Sequence, residues 1–233
     1  MKNLRQQLYL GILGSICLAP CIFSQVNMTL TSAGNNALGG VYVGPYYATV
    51  NGQTDVPVIC DDFSDESTIG ESWTANATTV ASNLPTTLSQ RLGLSSGAQA
   101  QDYSEASYLA QQLMSGATCP PGMPSCGSSD YSGDIQYAIW QIFDGSDDPL
   151  SHLSGPDSTN AANWLSYAQA NAPSTSAYAG VTVYSPTNGG PPQEFLSMPE
   201  AGSPFLWAID LAGVAGLFFF ARNRKRAISA VKA

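Results

Sequence analysis

The distribution of charge limits most strongly what this chain can fold into. Between Gln25 and Pro199, fifteen acidic residues accompany a single basic one, Arg91, so the stretch has a net charge of −14 and contains no lysine. The other basic residues lie at the two ends, at Lys2, Arg5, Arg222, Arg224, Lys225, Arg226 and Lys232. This pattern predicts an acidic domain held between two basic, membrane-facing ends. It excludes nucleic-acid binding, because phosphate contacts need clustered Lys and Arg.

The composition narrows the functional class further. A single histidine, His152, leaves no His-rich metal cluster and argues against most histidine-dependent catalysis. Hydrophobic residues make up 44% of the chain and aromatic residues 10%, which is not the composition of a disordered acidic tail. A length of 233 residues suits one ordinary domain with additional end segments.

The first residues have the order of a secretory signal. Lys2 and Arg5 precede an apolar run from Leu8 to Ala19, and Pro20 and a small-residue region around Ser24 follow. A basic n-region, an apolar h-region and small residues are typical of a signal peptide, which we predict over residues 1–24. The alternative is a buried N-terminal helix. The signal predicts export of the ectodomain over residues 25–197.

The last residues predict a transmembrane helix. Phe205 to Ala221 is seventeen residues long with one charge, Asp210, and a helix of that length spans about 25 Å, near the lower limit for a bilayer core. The basic run from Arg222 to Arg226 follows directly and is expected to stay cytoplasmic. An amphipathic surface helix is the less favoured alternative, because the run is apolar on all sides.

The residues before that helix carry a resemblance. Met198-Pro199-Glu200-Ala201-Gly202-Ser203, followed by an apolar helix and a basic cluster, resembles the PEP-CTERM sorting signal of exosortase substrates, with Ala201 in place of the usual second Pro. The resemblance covers residues 198–233. It implies that an exosortase-type protease sorts the chain. The protein would be anchored in the inner membrane through residues 205–221 before processing, and would then reach the cell surface or the extracellular space.

The ectodomain pattern predicts an α+β domain. Segments rich in Val, Thr and Tyr and bounded by Gly and Asn turns predict strands over Met28–Ser32, Val41–Val50, Val56–Cys60, Val181–Tyr184 and Glu194–Leu196. Helical spacing of apolar residues predicts helices over Asp102–Met114, Ile135–Phe143 and Thr159–Ala170. Asn51-Gly52 predicts a hairpin with a connection longer than two residues. We therefore expect a β-rich core, sandwich or barrel-like, with a helical insertion.

Five cysteines divide by position. Cys17 and Cys21 lie in or beside the signal, and Cys119 and Cys126 flank a compact Pro- and Gly-containing loop, which predicts a local disulfide in an exported protein. Cys60 is left over. The neighbouring Asp61 and Asp62 disfavour a thiolate, so Cys60 is not predicted to be a free nucleophile, and burial in the core is the alternative interpretation.

Two segments together carry a second resemblance. Val58-Ile59-Cys60-Asp61-Asp62-Phe63 and Ile135-Gln136-Tyr137-Ala138-Ile139-Trp140 resemble the thioester domains of bacterial surface adhesins, which pair an early-strand Cys with a Gln in a Q-x-A-I-W motif. The resemblance covers roughly residues 41–196. It implies that Cys60 and Gln136 condense with loss of ammonia into an internal thioester. Ala138, Ile139, Trp140 and Phe143 form the expected supporting pocket, in which Trp140 and Phe143 supply a dry wall.

A thioester would react once with an amine or hydroxyl group, giving a covalent anchor. We therefore expect an adhesion protein of the cell surface or extracellular matrix, not an enzyme, with an amine- or hydroxyl-bearing partner or an exopolysaccharide. The alternative is a non-covalent structural or carbohydrate-binding module of the same fold, with Tyr46, Tyr47 and Trp73 as candidate sugar contacts. A hydrolase lacks a nucleophile–base motif. No cofactor or metal is predicted, since the acid runs around Asp62 and Asp147 lack EF-hand spacing.

Overall fold

The computed structural model describes residues 24–81, 84, 96–116, 119–123, 126, 131–144 and 146–199. Nearly all of the predicted signal peptide and the sorting tail from Glu200 onward lie outside these residues. Within them, no helix is both long and apolar enough to cross a membrane.

A closed antiparallel barrel forms the centre of the described domain. Its strands are β1 (Ser24–Ser32), β4 (Tyr46–Val50), β5 (Gln53–Cys60), β6 (Ser72–Thr79), β7 (Thr182–Pro186) and β8 (Phe195–Ser197). They follow the order β1-β4-β5-β8-β7-β6, and β6 closes on β1. The short strands β2 (Ala37–Leu38) and β3 (Val41–Tyr42) pair separately. The predicted α+β class and β-rich, barrel-like core are confirmed.

The helices lie between β6 and β7 in the chain. They are α1 (Ser96–Ser115), α2 (Ser132–Phe143) and α3 (Pro156–Asn171), with 3-10 turns at Pro149–His152 and Thr175–Tyr178. The helical insertion is therefore confirmed. Both α1 and α2 begin earlier than their apolar periodicity indicates, because the residues at these starts are small or polar and provide no periodic signal.

Three details of the strand prediction are wrong. The segment 41–50 is two strands interrupted at Val43–Pro45, because Pro45 has no N–H for a ladder hydrogen bond. The hairpin between β4 and β5 is a two-residue turn, since Val50 pairs with Gln53 and both Asn51 and Gly52 take positive φ angles of 48° and 85°. Strand β6 was not predicted, because two of the three apolar residues that alternate along it, Trp73, Ala75 and Ala77, are small alanines that give a weak signal among Ser, Thr and Asn.

The pleat of the strands separates two apolar cores. Side chains such as Met28, Val58 and Phe195 fill the barrel, whereas Ile59, Val183 and Leu196 face the helices. Successive side chains of a strand point to opposite faces, so neighbouring residues of β5 and β8 belong to different cores. This alternation positions the residues of the candidate site.

Candidate functional site at the barrel mouth

Cys60 and Gln136 meet at one end of the barrel. Cys60 is the last residue of β5 and packs with the apolar side chains inside the barrel. Gln136 lies on α2, whose Tyr137 and Trp140 pack into the same barrel core. Both Cys60 and Gln136 are completely buried. The structure thus brings together the two residues that the sequence singled out.

Backbone groups hold the Gln136 amide on both sides. Its Nε2 donates a hydrogen bond of 2.6 Å to the carbonyl oxygen of Cys60, and its Oε1 accepts one of 3.2 Å from the N–H of Gly44. A Cβ atom at position 44 would lie 2.7 Å from that Oε1, so a side chain there would displace the amide. The Cys60 thiol donates to the carbonyl oxygen of Asp62 at 3.1 Å.

The surroundings keep the Cys60 thiol neutral. Burial raises its pKa well above the usual value, and the charges of Asp62 and Asp61 raise it further. The Asp62 backbone and the Trp140 side chain oppose this shift, although the indole N–H makes no hydrogen bond of normal geometry. A thiol with a raised pKa holds its proton at neutral pH, so Cys60 is not an activated nucleophile toward solvent.

Aromatic rings surround the pair. Trp140 and Tyr137 lie edge to face with centroids 5.0 Å apart, and Phe63 lies 5.1 Å from Trp140. Tyr46 is buried beside the site, and its pKa is raised by burial first and then by the nearby Cys60 and Tyr137. These rings make the site apolar and exclude water from the Cys60–Gln136 contact.

The predicted supporting pocket divides between two faces of α2. Trp140 packs in the barrel core with Cys60, whereas Ala138, Ile139 and Phe143 are buried in the core between barrel and helices. Phe143 packs there on Tyr103, with ring centroids 4.9 Å apart. The last three residues therefore anchor α2, and only Trp140 is packed in the core that contains Cys60.

Sequence reasoning missed Gly44, Phe63 and Tyr137 as parts of the site. No local sequence signal identifies Gly44, because its role depends on a contact with Gln136, which lies 92 positions away in the chain. Phe63 follows the Cys-Asp-Asp run directly, and Tyr137 occupies the variable position of the Gln motif. The sequence shows that Phe63 and Tyr137 belong to the two motifs, but it does not show that their side chains point toward the site.

A separate polar cluster lies behind the site, on the helix-facing side of the barrel. Glu194 accepts hydrogen bonds from the hydroxyls of Tyr103 and Ser185. Both carboxyl oxygens of Asp61 are buried without an N–H or O–H donor among the described residues. Burial first, then the charges of Glu194 and Asp62, raise the pKa of Asp61 well above its usual value. The pair therefore favours the state in which one carboxyl holds a proton.

A second acidic cluster lies at the end of α2. Asp144 accepts hydrogen bonds from the Phe63 N–H at 2.7 Å and from the Ser64 hydroxyl at 2.8 Å, and Asp147 lies 2.7 Å from the same hydroxyl. The two acid runs of the sequence thus come together in space. No group of three or more His, Cys, Asp or Glu side chains suited to a metal ion occurs within the described residues.

The remaining predicted residues lie away from the site. Cys119 and Cys126 form a disulfide with Cα atoms 5.7 Å apart, and Cys60 is the free cysteine of the described residues. Pro199 packs on Gly180, at a point where a Cβ on the glycine would come within 2.9 Å of its ring. Glu200 and Ala201 of the sorting motif lie outside the described residues.

An open cleft of 880 Å³ borders the site. Its exposed edge carries Tyr42 and Ile69, which are 57% and 55% accessible, together with the acids Asp65 and Glu66. Its buried wall includes Tyr46, Phe63 and Trp140, the rings that surround Cys60 and Gln136. The cleft is therefore an opening from which a partner could approach the pair.

Comparison of the chain with protein-family models, with curated proteins and with solved structures finds no match in any of the three.

Proposed function

We propose that this protein is an exported surface or matrix adhesion protein that anchors itself through an internal thioester between Cys60 and Gln136. The observation that carries the proposal is the buried contact in which the Gln136 amide lies between the Cys60 carbonyl and the Gly44 N–H. This hydrogen bond holds the Gln136 amide beside the backbone of Cys60, and holding two reacting groups near each other lowers the entropic cost of joining them. The surrounding rings exclude the water that would hydrolyse the product.

The chemistry balances without a cofactor. The Cys60 sulfur adds to the Gln136 side-chain carbon, the C–N bond breaks, and the departing amide nitrogen takes the thiol proton to leave as ammonia. The Gly44 N–H is placed to stabilise the negative charge that develops on Oε1 in the tetrahedral intermediate. An amine or hydroxyl of a partner would then attack the same carbon. The C–S bond would break, and the proton lost by the attacking group would restore the Cys60 thiol.

Each molecule would react once, so the protein would act as a covalent tether and not as an enzyme. Export and sorting complete the proposal on sequence grounds: a signal peptide over residues 1–24, a PEP-CTERM-like tail over 198–233, and an exosortase-type protease as the sorting partner. Deleting residues 205–233 is expected to move the protein from the membrane fraction to the medium. Retention of the shortened chain in the membrane would contradict the anchoring role of the tail.

A second candidate is a non-covalent structural or carbohydrate-binding matrix module. It is favoured by the same hydrogen bonds, since both polar atoms of the Gln136 amide are already satisfied by backbone groups. In that case Gln136 would brace the barrel mouth, and Tyr42 in the cleft would contact a sugar ring.

Mass spectrometry separates the two candidates. We expect the intact full-length protein to weigh one ammonia less than its sequence with the Cys119–Cys126 disulfide formed, and methylamine to add at Gln136 while freeing the Cys60 thiol. Cys60→Ser, which keeps size and burial, is expected to show the full mass and no methylamine addition. A full mass for the unaltered protein, in a preparation never exposed to amines, would favour the non-covalent module.

A further inference from the structure

Phe63 covers the side of the Cys60–Gln136 site that faces the cleft. Its ring contacts Trp140 and Tyr137, with centroids 5.1 Å and 6.2 Å away, and also His152 at 5.2 Å. Trp140 packs in the core that contains Cys60. Phe63 also lines the 880 Å³ cleft, whereas Cys60 and Gln136 do not. The Phe63 ring therefore lies between the cleft and the pair.

The segment that carries this ring has little apolar anchoring of its own. Residues 62–65, which we call the lid segment, follow β5 and contain two acids, one serine and one aromatic residue. Its attachment to α2 is made by Asp144, which accepts from the Phe63 N–H and the Ser64 hydroxyl. Asp144 itself is fixed as the C-cap of α2, where its N–H donates to the Trp140 carbonyl. Asp144 thus provides the hydrogen bonds between the lid segment and the end of α2, in addition to the ring contacts of Phe63 with Tyr137 and Trp140.

The Ser64 hydroxyl lies between two carboxyl groups, but it has only one hydrogen to donate. Its hydroxyl has one hydrogen, but its oxygen lies 2.8 Å from an Asp144 oxygen and 2.7 Å from an Asp147 oxygen. Both contacts are hydrogen bonds only if one of the two carboxyls is protonated, because a carboxylate can only accept. With a proton on Asp144, that carboxyl donates to Ser64, which donates to Asp147. Without it, two oxygens meet with no hydrogen between them.

We propose that Phe63 is a lid over the Cys60–Gln136 site and that Asp144, acting through Ser64, is the positioning residue that holds the lid closed when it is protonated. The reaction that the lid would protect rests on the proposed function, but the closing of the lid does not. The closure itself concerns access to the Cys60 sulfur, which exists with or without the thioester.

The charges around Asp144 favour its proton. The acids facing it are Asp62 in the lid segment and Asp147 in the turn after α2, and burial together with these charges raises its pKa to about 6. The hydrogen bonds from Phe63 and Ser64 oppose that shift. The ring of His152 contacts the lid from the 3-10 turn, and Asp65 donates its N–H to Asp62. The lid is therefore held more firmly below pH 6 than above it.

Labelling of the Cys60 thiol measures the opening. The test uses the full-length chain with Gln136→Met, which is similar in size, carries no charge at any pH and has no carbonyl for the sulfur to attack, so the thiol is free in every sample. N-ethylmaleimide addition is followed on the Cys60 peptide at about pH 5 and about pH 8, relative to the urea-unfolded chain at each pH, which corrects for the thiolate fraction. We expect slow relative labelling at the lower pH and faster labelling at the higher.

Two substitutions separate a latch from a general loss of stability. Asp144→Ala removes the attachment and is expected to speed relative labelling about tenfold or more at the lower pH. Asp144→Asn accepts from Phe63 and donates to Ser64 as the protonated acid does, so labelling should stay slow at both pH values. Asp157→Ala, in the first turn of α3 and without a hydrogen bond to the lid segment, is the matched control.

The proposal is overturned if Asp144→Ala labels no faster than the parent chain, or if Asp144→Asn shows the same rise with pH as the parent. Should Asp144→Ala fail to fold, the comparison of Asp144→Asn with the parent still decides. Because every sample lacks the thioester, a failure of the mass test leaves this result standing, and a failure here leaves the mass test standing.

Discussion

Cys60 and Asp61 are neighbours in sequence, yet their side chains lie on opposite sides of the barrel wall. Cys60 faces the barrel core and meets a neutral amide, Gln136, whereas Asp61 lies with a second acid, Glu194. Both residues are fully buried. The pleat of β5 separates them, because successive side chains point to opposite faces.

The Cys60–Gln136 site and the Asp61–Glu194 cluster differ in the groups that hydrogen-bond their buried polar side chains. At the barrel mouth, backbone N–H and C=O groups saturate a neutral amide. Behind it, Glu194 accepts from the hydroxyls of Tyr103 and Ser185, Asp61 lies beside it without a hydroxyl donor, and no Lys or Arg occurs among the described residues to neutralise the two acids. Buried carboxylates without cations must keep a proton. We therefore place the proposed reaction at the mouth and propose a structural role for the acid cluster.

Removing the shared acceptor is expected to have the largest effect on stability. Glu194→Ala leaves the buried hydroxyls of Tyr103 and Ser185 without their acceptor, at about 1–3 kcal/mol each, so the free energy of unfolding should fall by about 2–6 kcal/mol. Urea unfolding measures the loss, and Glu194→Gln, which keeps an acceptor oxygen, should lose less. A change below about 1 kcal/mol in the Ala variant would contradict the structural role.

A side chain in place of Gly44 is expected to disturb the Cys60–Gln136 site at the barrel mouth. Gly44→Ala places a Cβ 2.7 Å from the Gln136 oxygen, and overpacking of this kind costs about 1–3 kcal/mol. The displaced amide should also lose its contact with Cys60, so the fraction of protein lacking one ammonia should fall. Gly190→Ala, whose Cβ meets nothing within 4 Å, is the matched control. An unchanged ammonia deficit in Gly44→Ala would contradict the role of Gly44.

The smallest expected effect is on the pH dependence of stability, which should distinguish the acid cluster from the barrel mouth. Because burial and its acidic neighbours raise the folded-state pKa of Asp61, folding takes up a proton, and this stabilisation is fully present below about pH 4 and is lost as pH rises through the raised folded value. Asp61→Asn should therefore flatten the dependence of the unfolding free energy on pH. An unaltered slope in Asp61→Asn would refute the shared proton.

The sequence predicted the elements better than their contacts. Apolar spacing located α2 and the end of β5, so Cys60 and Gln136 were correctly placed on a strand and a helix. It could not show that Ala138, Ile139 and Phe143 lie on the other face of α2, since all three are apolar and helical spacing alone does not say which core a face meets. Strand β6 escaped because its pairing with β1 and β7, and not its composition, makes it a strand.

The acid clusters show the same limit. In sequence, the runs around Asp62 and Asp147 are separate and lack EF-hand spacing, but folding brings them together around one serine hydroxyl. Asp61 and Glu194 are 133 positions apart in the chain, and no local pattern links them. Long-range pairs of this kind follow from sheet register, which depends on the whole barrel.

A crystal structure of protein never exposed to amines tests the central claim most directly. We predict continuous electron density from the Cys60 sulfur to the side-chain carbon of Gln136, no Nε2 atom, and a Gly44 N–H still directed at the remaining oxygen. Two separate side chains, with Nε2 present and donating to the Cys60 carbonyl, would contradict the thioester.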